Sequence, residues 1–142
     1  MVVSITKENI NNYSDEFINK SFFINELNNN PFAKVLFLFE NNSIIGYLYY
    51  SDIYDRVEIN QIEIKKKYRK QGKGNYLLNK LLKAEKKDVT LEVKETNYPA
   101  IKLYEKNGFL KKAIRKNYYG EINGILYEKK YIPQKTSNEL GD

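Results

Sequence analysis

This 142-residue chain predicts an α+β fold, a single domain built on a mixed sheet of about six or seven strands. Three observations carry that expectation. Alternating apolar runs follow one another between Val35 and Ile64. A turn bearing Gly72 and Gly74 then leads into an amphipathic helix, a further alternating strand and a second helix. Two more strand-like runs close the pattern before a polar tail.

Val2, Val3 and Ile5 predict a short first strand. Residues 8–30 are polar, with anchors of which Phe17, Ile18, Phe22 and Ile24 fit one or two short helices. Asn28-Asn29-Asn30-Pro31 ends them. Residues 35–39 and 44–50 read as a hairpin turned by Asn41-Asn42, and residues 57–64 as a third antiparallel strand. Leu77, Leu78, Leu81 and Leu82 share one face of a helix over about 72–87, with Lys80, Lys83, Lys86 and Lys87 on the other. Val89, Leu91 and Val93 alternate with Thr90, Glu92 and Lys94, a strand. Asn97-Tyr98-Pro99 opens the next helix with a capping side chain and a proline in the first turn. Ala100, Ile101, Leu103 and Tyr104 form its buried stripe, and Gly108 suits the position that stops it. Phe109-Leu110 and Ala113-Ile114 begin a strand, residues 120–124 form a hairpin tip, and Ile125, Leu126 and Tyr127 return. The domain is expected to span residues 1–132, followed by a polar tail over 133–142.

Composition narrows the chemistry. Hydrophobic residues make up 42%, enough for a core. The absence of cysteine excludes disulfides and thiolate chemistry. The absence of histidine removes the usual general base and the commonest metal ligand, so no metal is expected and proton transfer falls to Asp, Glu, Tyr, Lys or water. The start lacks a signal-peptide pattern and no apolar run approaches a membrane span, so the chain reads as cytoplasmic with no membrane partner. The net charge of +6 suits an anionic partner. A chain rich in Lys, Asn, Ile and Tyr also gains charge from A/T-rich codons, so the local clusters matter more than the total.

The strongest cluster is Arg69-Lys70-Gln71-Gly72-Lys73-Gly74. Between Lys65 and Asn75 lie six basic residues and no acid: Lys65, Lys66, Lys67, Arg69, Lys70 and Lys73. Glycines allow close approach to the backbone, and the first amides of a helix lack internal partners, so such a turn binds phosphate. Gly74 is followed by Asn75 and Tyr76, which excludes a Walker loop. Leu77 replaces the third glycine of a dinucleotide fingerprint.

What remains, R-x-x-G-x-G at a strand-to-helix turn, resembles the pyrophosphate loop of the GCN5-related N-acetyltransferases (GNAT). A second motif, Asn97 with Ala100-Ile101-x-Leu103-Tyr104-Glu105-x-x-Gly108-Phe109, resembles the same family in the expected order and spacing. Leu91-Glu92-Val93 and Ile114-Arg115-Lys116-Asn117-Tyr118-Tyr119 are similar to the RimI branch, bacterial enzymes that acetylate the N-terminal alanine of a small-subunit ribosomal protein. The resemblance covers about residues 35–131.

It implies a GNAT-like sheet, mostly antiparallel, with about four helices. It also implies acetyl-CoA as co-substrate, direct transfer to an amine, and a protein N-terminus, ribosomal in the RimI branch, as acceptor. Glu92 takes the place of the general base and Tyr104 that of the acid for the CoA thiolate. Backbone groups of Ile62, Glu63 and Ile64 would pair with the pantetheine arm. Arg69, Lys70, Gln71, Gly72, Lys73, Gly74 and Asn75 would hold the pyrophosphate, mainly by amides, and Asn97 would contact pantetheine as well as cap its helix. Arg69 matches the Gln or Arg that the family favours there.

Other readings of these residues stay open. Glu92 also fits a solvated strand carboxylate paired with a lysine, and Tyr104 is one of 13 tyrosines. Glu63 and the Phe22-Phe23-Ile24 stretch depart from the RimI pattern, leaving a lysine side chain or a small-molecule amine as alternative acceptors. Outside this class, Lys65 to Lys73 with Tyr68 and Tyr76 would suit a basic nucleic-acid module, a use the two acetyltransferase motifs make the lesser one.

Overall fold

The computed structural model describes residues 1–133 and places ten regular elements along them. They are β1 (Val2–Ile5), α1 (Lys20–Asn29), β2 (Ala33–Glu40), β3 (Ser43–Ile53), β4 (Arg56–Ile64), α2 (Lys73–Ala84), β5 (Asp88–Lys94), α3 (Tyr98–Lys106), β6 (Leu110–Tyr119) and β7 (Ile122–Lys129). Short 3-10 turns occur at Ile10–Asn12 and Lys66–Tyr68. One seven-stranded sheet runs in the order β1-β2-β3-β4-β5-β7-β6. Every neighbouring pair is antiparallel except β4 and β5.

The expected elements form with few changes. Three α-helices and two 3-10 turns stand where about four helices were expected, because only residues 20–29 of the polar N-terminal stretch sustain a helix. Asn19 caps it by accepting from the Phe22 N–H at 3.1 Å. Asn41 and Asn42 take φ of 53° and 64°, the left-handed pair that a two-residue hairpin turn requires. Helix α2 stops at Ala84, short of the expected 87. The last hairpin turns at Gly120-Glu121, with Tyr119 paired to Ile122. Gly124, expected at the tip, lies inside β7 opposite Arg115. Beyond Pro133, the predicted polar tail lies outside the described residues.

Each face of the sheet carries its own core. On one face α2 and α3 cover Leu48, Val57, Ile59, Val89, Leu91, Val93, Ile125 and Tyr127. Leu77, Leu78 and Leu81 of α2 are fully buried there, as their spacing requires. On the other face α1 covers Val35, Phe37, Tyr47 and Tyr49, with Phe23 packed edge-on against all but Val35. Period-two alternation in the strands therefore decides which side chains reach which face.

Candidate active site

The site begins with a break in the sheet. β4 and β5 pair in parallel only from Arg56↔Asp88 to Ile59↔Leu91. Beyond that point β4 continues to Ile64 and β5 to Lys94 without pairing to each other. A β-bulge marks the parting. Tyr49 pairs with Gln61 and Tyr50 with Ile59, so Asn60 is the extra residue. Its Nδ2 donates to Ser51 Oγ at 2.9 Å, which anchors the bulge to β3. A bulge bends and twists its strand, and here the bend turns β4 away from β5. The β5-facing backbone edge of residues 60–64 is left for a ligand to extend as an added strand.

Helix α2 begins at the mouth of this opening. Gly72 is its N-cap with φ of 77°, a left-handed conformation that a side chain would strain, and nothing lies within 4 Å of where a Cβ would stand. No side chain caps the helix and its first turn holds no acid. The first helical bond runs from the Tyr76 N–H to Gly72 O at 2.9 Å. The amides of Lys73, Gly74 and Asn75 therefore point out of the helix end, where a pyrophosphate would meet them. The backbone thus fits the phosphate end of acetyl-CoA.

The side chains of the loop are distributed differently from the sequence expectation. Arg69 folds back onto β4, its Nε donating to Ile64 O and a terminal nitrogen to Glu63 Oε1, both at 2.8 Å. Lys73 pairs with Glu40 at 2.8 Å and Lys65 with Asp15 at 3.3 Å. Gln71 Nε2 donates to Lys67 O at 3.1 Å. Among the described residues Lys66, Lys67 and Lys70 make no ion pair. Asn75 Oδ1 accepts from Asn107 Nδ2 at 2.8 Å, a bond that ties α2 to the end of α3. Asn97 caps α3, accepting from the Ala100 N–H at 3.3 Å.

Glu92 and Tyr104 lie on opposite faces of the sheet. Leu91 and Val93 point under α2 and α3, so Glu92 points to the other side. Its Oε2 is sealed from solvent and makes no hydrogen bond. Arg115 Nε of β6 stands 3.2 Å from that oxygen, off the N–H axis, so the contact is an ion pair without a directed bond. A Cβ on Gly124 would come within 3.2 Å of the same oxygen and 3.2 Å of the Tyr119 ring. Burial first, and then the charge of Glu92, hold the Tyr119 phenol above its ordinary range. Tyr118 and Tyr119 meet edge-on at 5.0 Å, with Arg115 over the first ring and Lys94 over the second.

Tyr104 is 5% exposed, packed against Phe109 in the α2–α3 core. Burial alone pushes its phenol up to about 12. Its neighbour Glu105 accepts from Tyr127 OH at 2.8 Å. The spacing of charged residues did not disclose the Arg115–Glu92 contact, because it crosses from β6 to β5 over β7. Two concavities, of about 430 Å³ beside β1, β2 and the end of α2 and about 210 Å³ beside Val89 and Tyr131, lie away from this constellation. Among the described residues no helix is long and apolar enough to cross a membrane.

Comparison with known proteins agrees with this architecture. Residues 3–109 match the model of the Acetyltransferase (GNAT) family. A Bacillus subtilis protein is 36% identical over 104 residues, 70% of this chain and 69% of its own length. The [Ribosomal protein bS18]-alanine N-acetyltransferase of Haemophilus influenzae is 42% identical over 91 residues, 61% of this chain and 62% of that protein. The crystal structure of the ribosomal-protein-S18-alanine N-acetyltransferase from Escherichia coli superposes with a TM-score of 0.77 at 22% identity, covering 96% of this chain and 97% of that one. The parted β4 and β5, the uncapped helix behind them and the family match over three quarters of the chain agree: this chain belongs to the GNAT family of acetyltransferases.

Proposed function

We propose that this acetyltransferase moves the acetyl group of acetyl-CoA directly to the N-terminal α-amine of a protein, with alanine first and a ribosomal protein as the acceptor class. Support for the acceptor comes from the relatives, since the Haemophilus influenzae protein is named for that reaction. Support for the chemistry comes from one observation: the Glu92 carboxylate is held on one side only, its Oε2 sealed from solvent beside Arg115 and its Oε1 not among the sealed atoms. An acceptor's N–H arriving on that face would meet Oε1.

The steps follow from the two faces. Glu92 takes a proton from the incoming ammonium, directly or through a water, and the freed amine lone pair faces the opening. The thioester supplies the activated acyl carbon. Residues 60–64 and the α2 amides hold its pantetheine and pyrophosphate. Tyr104 lies toward the opposite face, where the sulfur departs. Its phenol at about 12 stays protonated across the neutral range. An alkyl thiol titrates near about 8.5, so complete transfer from Tyr104 would be uphill by about three and a half units. Tyr104 therefore acts by donating a hydrogen bond to the charge gathering on sulfur, and the proton that ends there is one the amine loses.

An α-amine suits this site better than a lysine. Its pKa is about 7.7–8.0 against about 10.4, so roughly a tenth is neutral at pH 7 compared with fewer than one part in a thousand. A carboxylate base in a chain without histidine needs that advantage. The test is mass spectrometry of a peptide carrying a free N-terminal alanine and an internal lysine. Acetyl on the α-amine is expected. Acetyl only on the lysine, or only on small amines offered alongside, rules this acceptor out and leaves the acetyltransferase standing.

A further inference from the structure

A carboxylate that serves as a base must be held in place and still be open to a proton. Those demands conflict. A bidentate guanidinium would fix the carboxylate but occupy both of its oxygens. At Glu92 the conflict is resolved by dividing the two oxygens: Oε2 is sealed beside Arg115, and Oε1 is not among the sealed atoms. Arg115 Nε stands 3.2 Å from Oε2, and that oxygen keeps no hydrogen bond.

Arg115 is itself held from the far side. Its guanidinium lies 5.2 Å from the centroid of Tyr118, and Tyr118 is braced edge-on by Tyr119. Lys94 covers the Tyr119 ring at 5.3 Å, so it faces the ring rather than the carboxylate. Gly124 of β7 fills the remaining side with backbone alone. Among the described residues Arg115 is thus the one cation paired with Glu92.

We infer that Arg115 is a positioning residue for acetyl transfer, holding the Glu92 carboxylate by its sealed Oε2 while Oε1 stays open to the N–H of the acceptor. This rests on the reading of Glu92 as the base. The competing account is a surface ion pair of no consequence, since the Arg115 side chain is 54% exposed and such pairs contribute little.

Four variants separate the accounts: Arg115→Gln, Arg115→Lys, Glu92→Gln, and Arg115→Gln combined with Glu92→Gln. Each is followed by steady-state kinetics with an N-terminal alanine peptide and by thermal unfolding with and without acetyl-CoA. Arg115→Gln is expected to lower kcat by about ten- to a hundredfold, as misplacement of a catalytic group does. KM for acetyl-CoA and the unfolding midpoint should stay unchanged. Arg115→Lys should recover most of the loss. In the Glu92→Gln background the arginine substitution should cost less than twofold, because a residue acting only through Glu92 has nothing left to position. The proposal is overturned if Arg115→Gln stays within twofold of the parent, if it costs the same with and without Glu92, or if the loss falls on acetyl-CoA binding. Near-normal turnover by Glu92→Gln alone would instead remove the base assignment, and this inference with it.

Discussion

Tyr104→Phe should damage the enzyme and leave its fold intact or firmer. The substitution removes one oxygen from a side chain that is 5% exposed. Burial is the one cause of the raised phenol, with no hydrogen-bond or charge partner contributing. A buried hydroxyl without a partner costs roughly 1–3 kcal/mol in proteins. The remaining trace of exposure puts Tyr104 at the low end, so the phenylalanine should be neutral to about 1 kcal/mol more stable. For a chain of this length that is a rise of up to about 3–5 °C in Tm. The ring stays, and with it the 5.5 Å contact to Phe109. Activity should move the other way. Losing one donor at an oxyanion costs about 10²–10³ in kcat. Sulfur is a weaker acceptor, so a loss of about 10- to 100-fold is expected. Thermal unfolding of the free enzyme gives the first quantity, and single-turnover acetyl transfer at saturating substrates gives the second. A variant destabilised by more than about 1 kcal/mol would mean the hydroxyl has a structural partner. Unchanged single-turnover rates would remove Tyr104 from the chemistry.

Gly124→Ala should lower kcat with little change in Tm, because its Cβ would press on Glu92 Oε2, Tyr119 and Tyr118 at 3.2–3.3 Å; kinetics and melting measured together check this, and equal turnover would show that the carboxylate tolerates displacement. Alkaline stability follows from the tyrosines. Burial above all holds the phenols of Tyr47, Tyr49, Tyr104 and Tyr127 up at about 12, against about 10 in the unfolded chain. Between those values the native state binds more protons, so this contribution is intact below pH 10 and is lost as pH rises toward 12; a denaturant midpoint that holds steady across pH 10–12 would contradict it. Finally, replacing Lys66, Lys67 and Lys70 together with alanine should weaken acetyl-CoA binding and flatten its salt dependence, because these cations have no carboxylate partner among the described residues. Calorimetric titration at two salt concentrations is the check, and an unaltered salt slope would place the phosphate contacts on the amides alone.

Period and punctuation made most of the fold legible. Asn41-Asn42, Asn97-Tyr98-Pro99 and Gly108 each bound an element where the backbone demands their chemistry, so hairpin, cap and stop could be read from neighbours in the chain. Alternation in β5 even gave the face of Glu92. What stayed hidden was set by residues distant in sequence. The bulge at Asn60 arises from a register shared with β3, and no local pattern marks it. Gly124 looked like a turn residue because glycine is common in turns, yet it serves β7 by keeping a Cβ off Glu92.

The basic loop shows the same limit in electrostatic form. Six cations without an acid between them suggested a strong local field. Folding brings Asp15, Glu63 and Glu40 onto three of the six from the N-terminal segment, β4 and β2. Each of those pairs tethers a different part of the loop, so the paired half of the charge shapes the turn. The amides of Lys73, Gly74 and Asn75 can then face a phosphate at a fixed spacing, with Lys66, Lys67 and Lys70 left to draw it in. In this account Arg69 acts through β4: its bonds to Ile64 O and Glu63 join the phosphate loop to the strand edge that would carry pantetheine. A charge count over eleven residues cannot separate those two jobs, because the partner of each cation is decided by the sheet order and not by its neighbours.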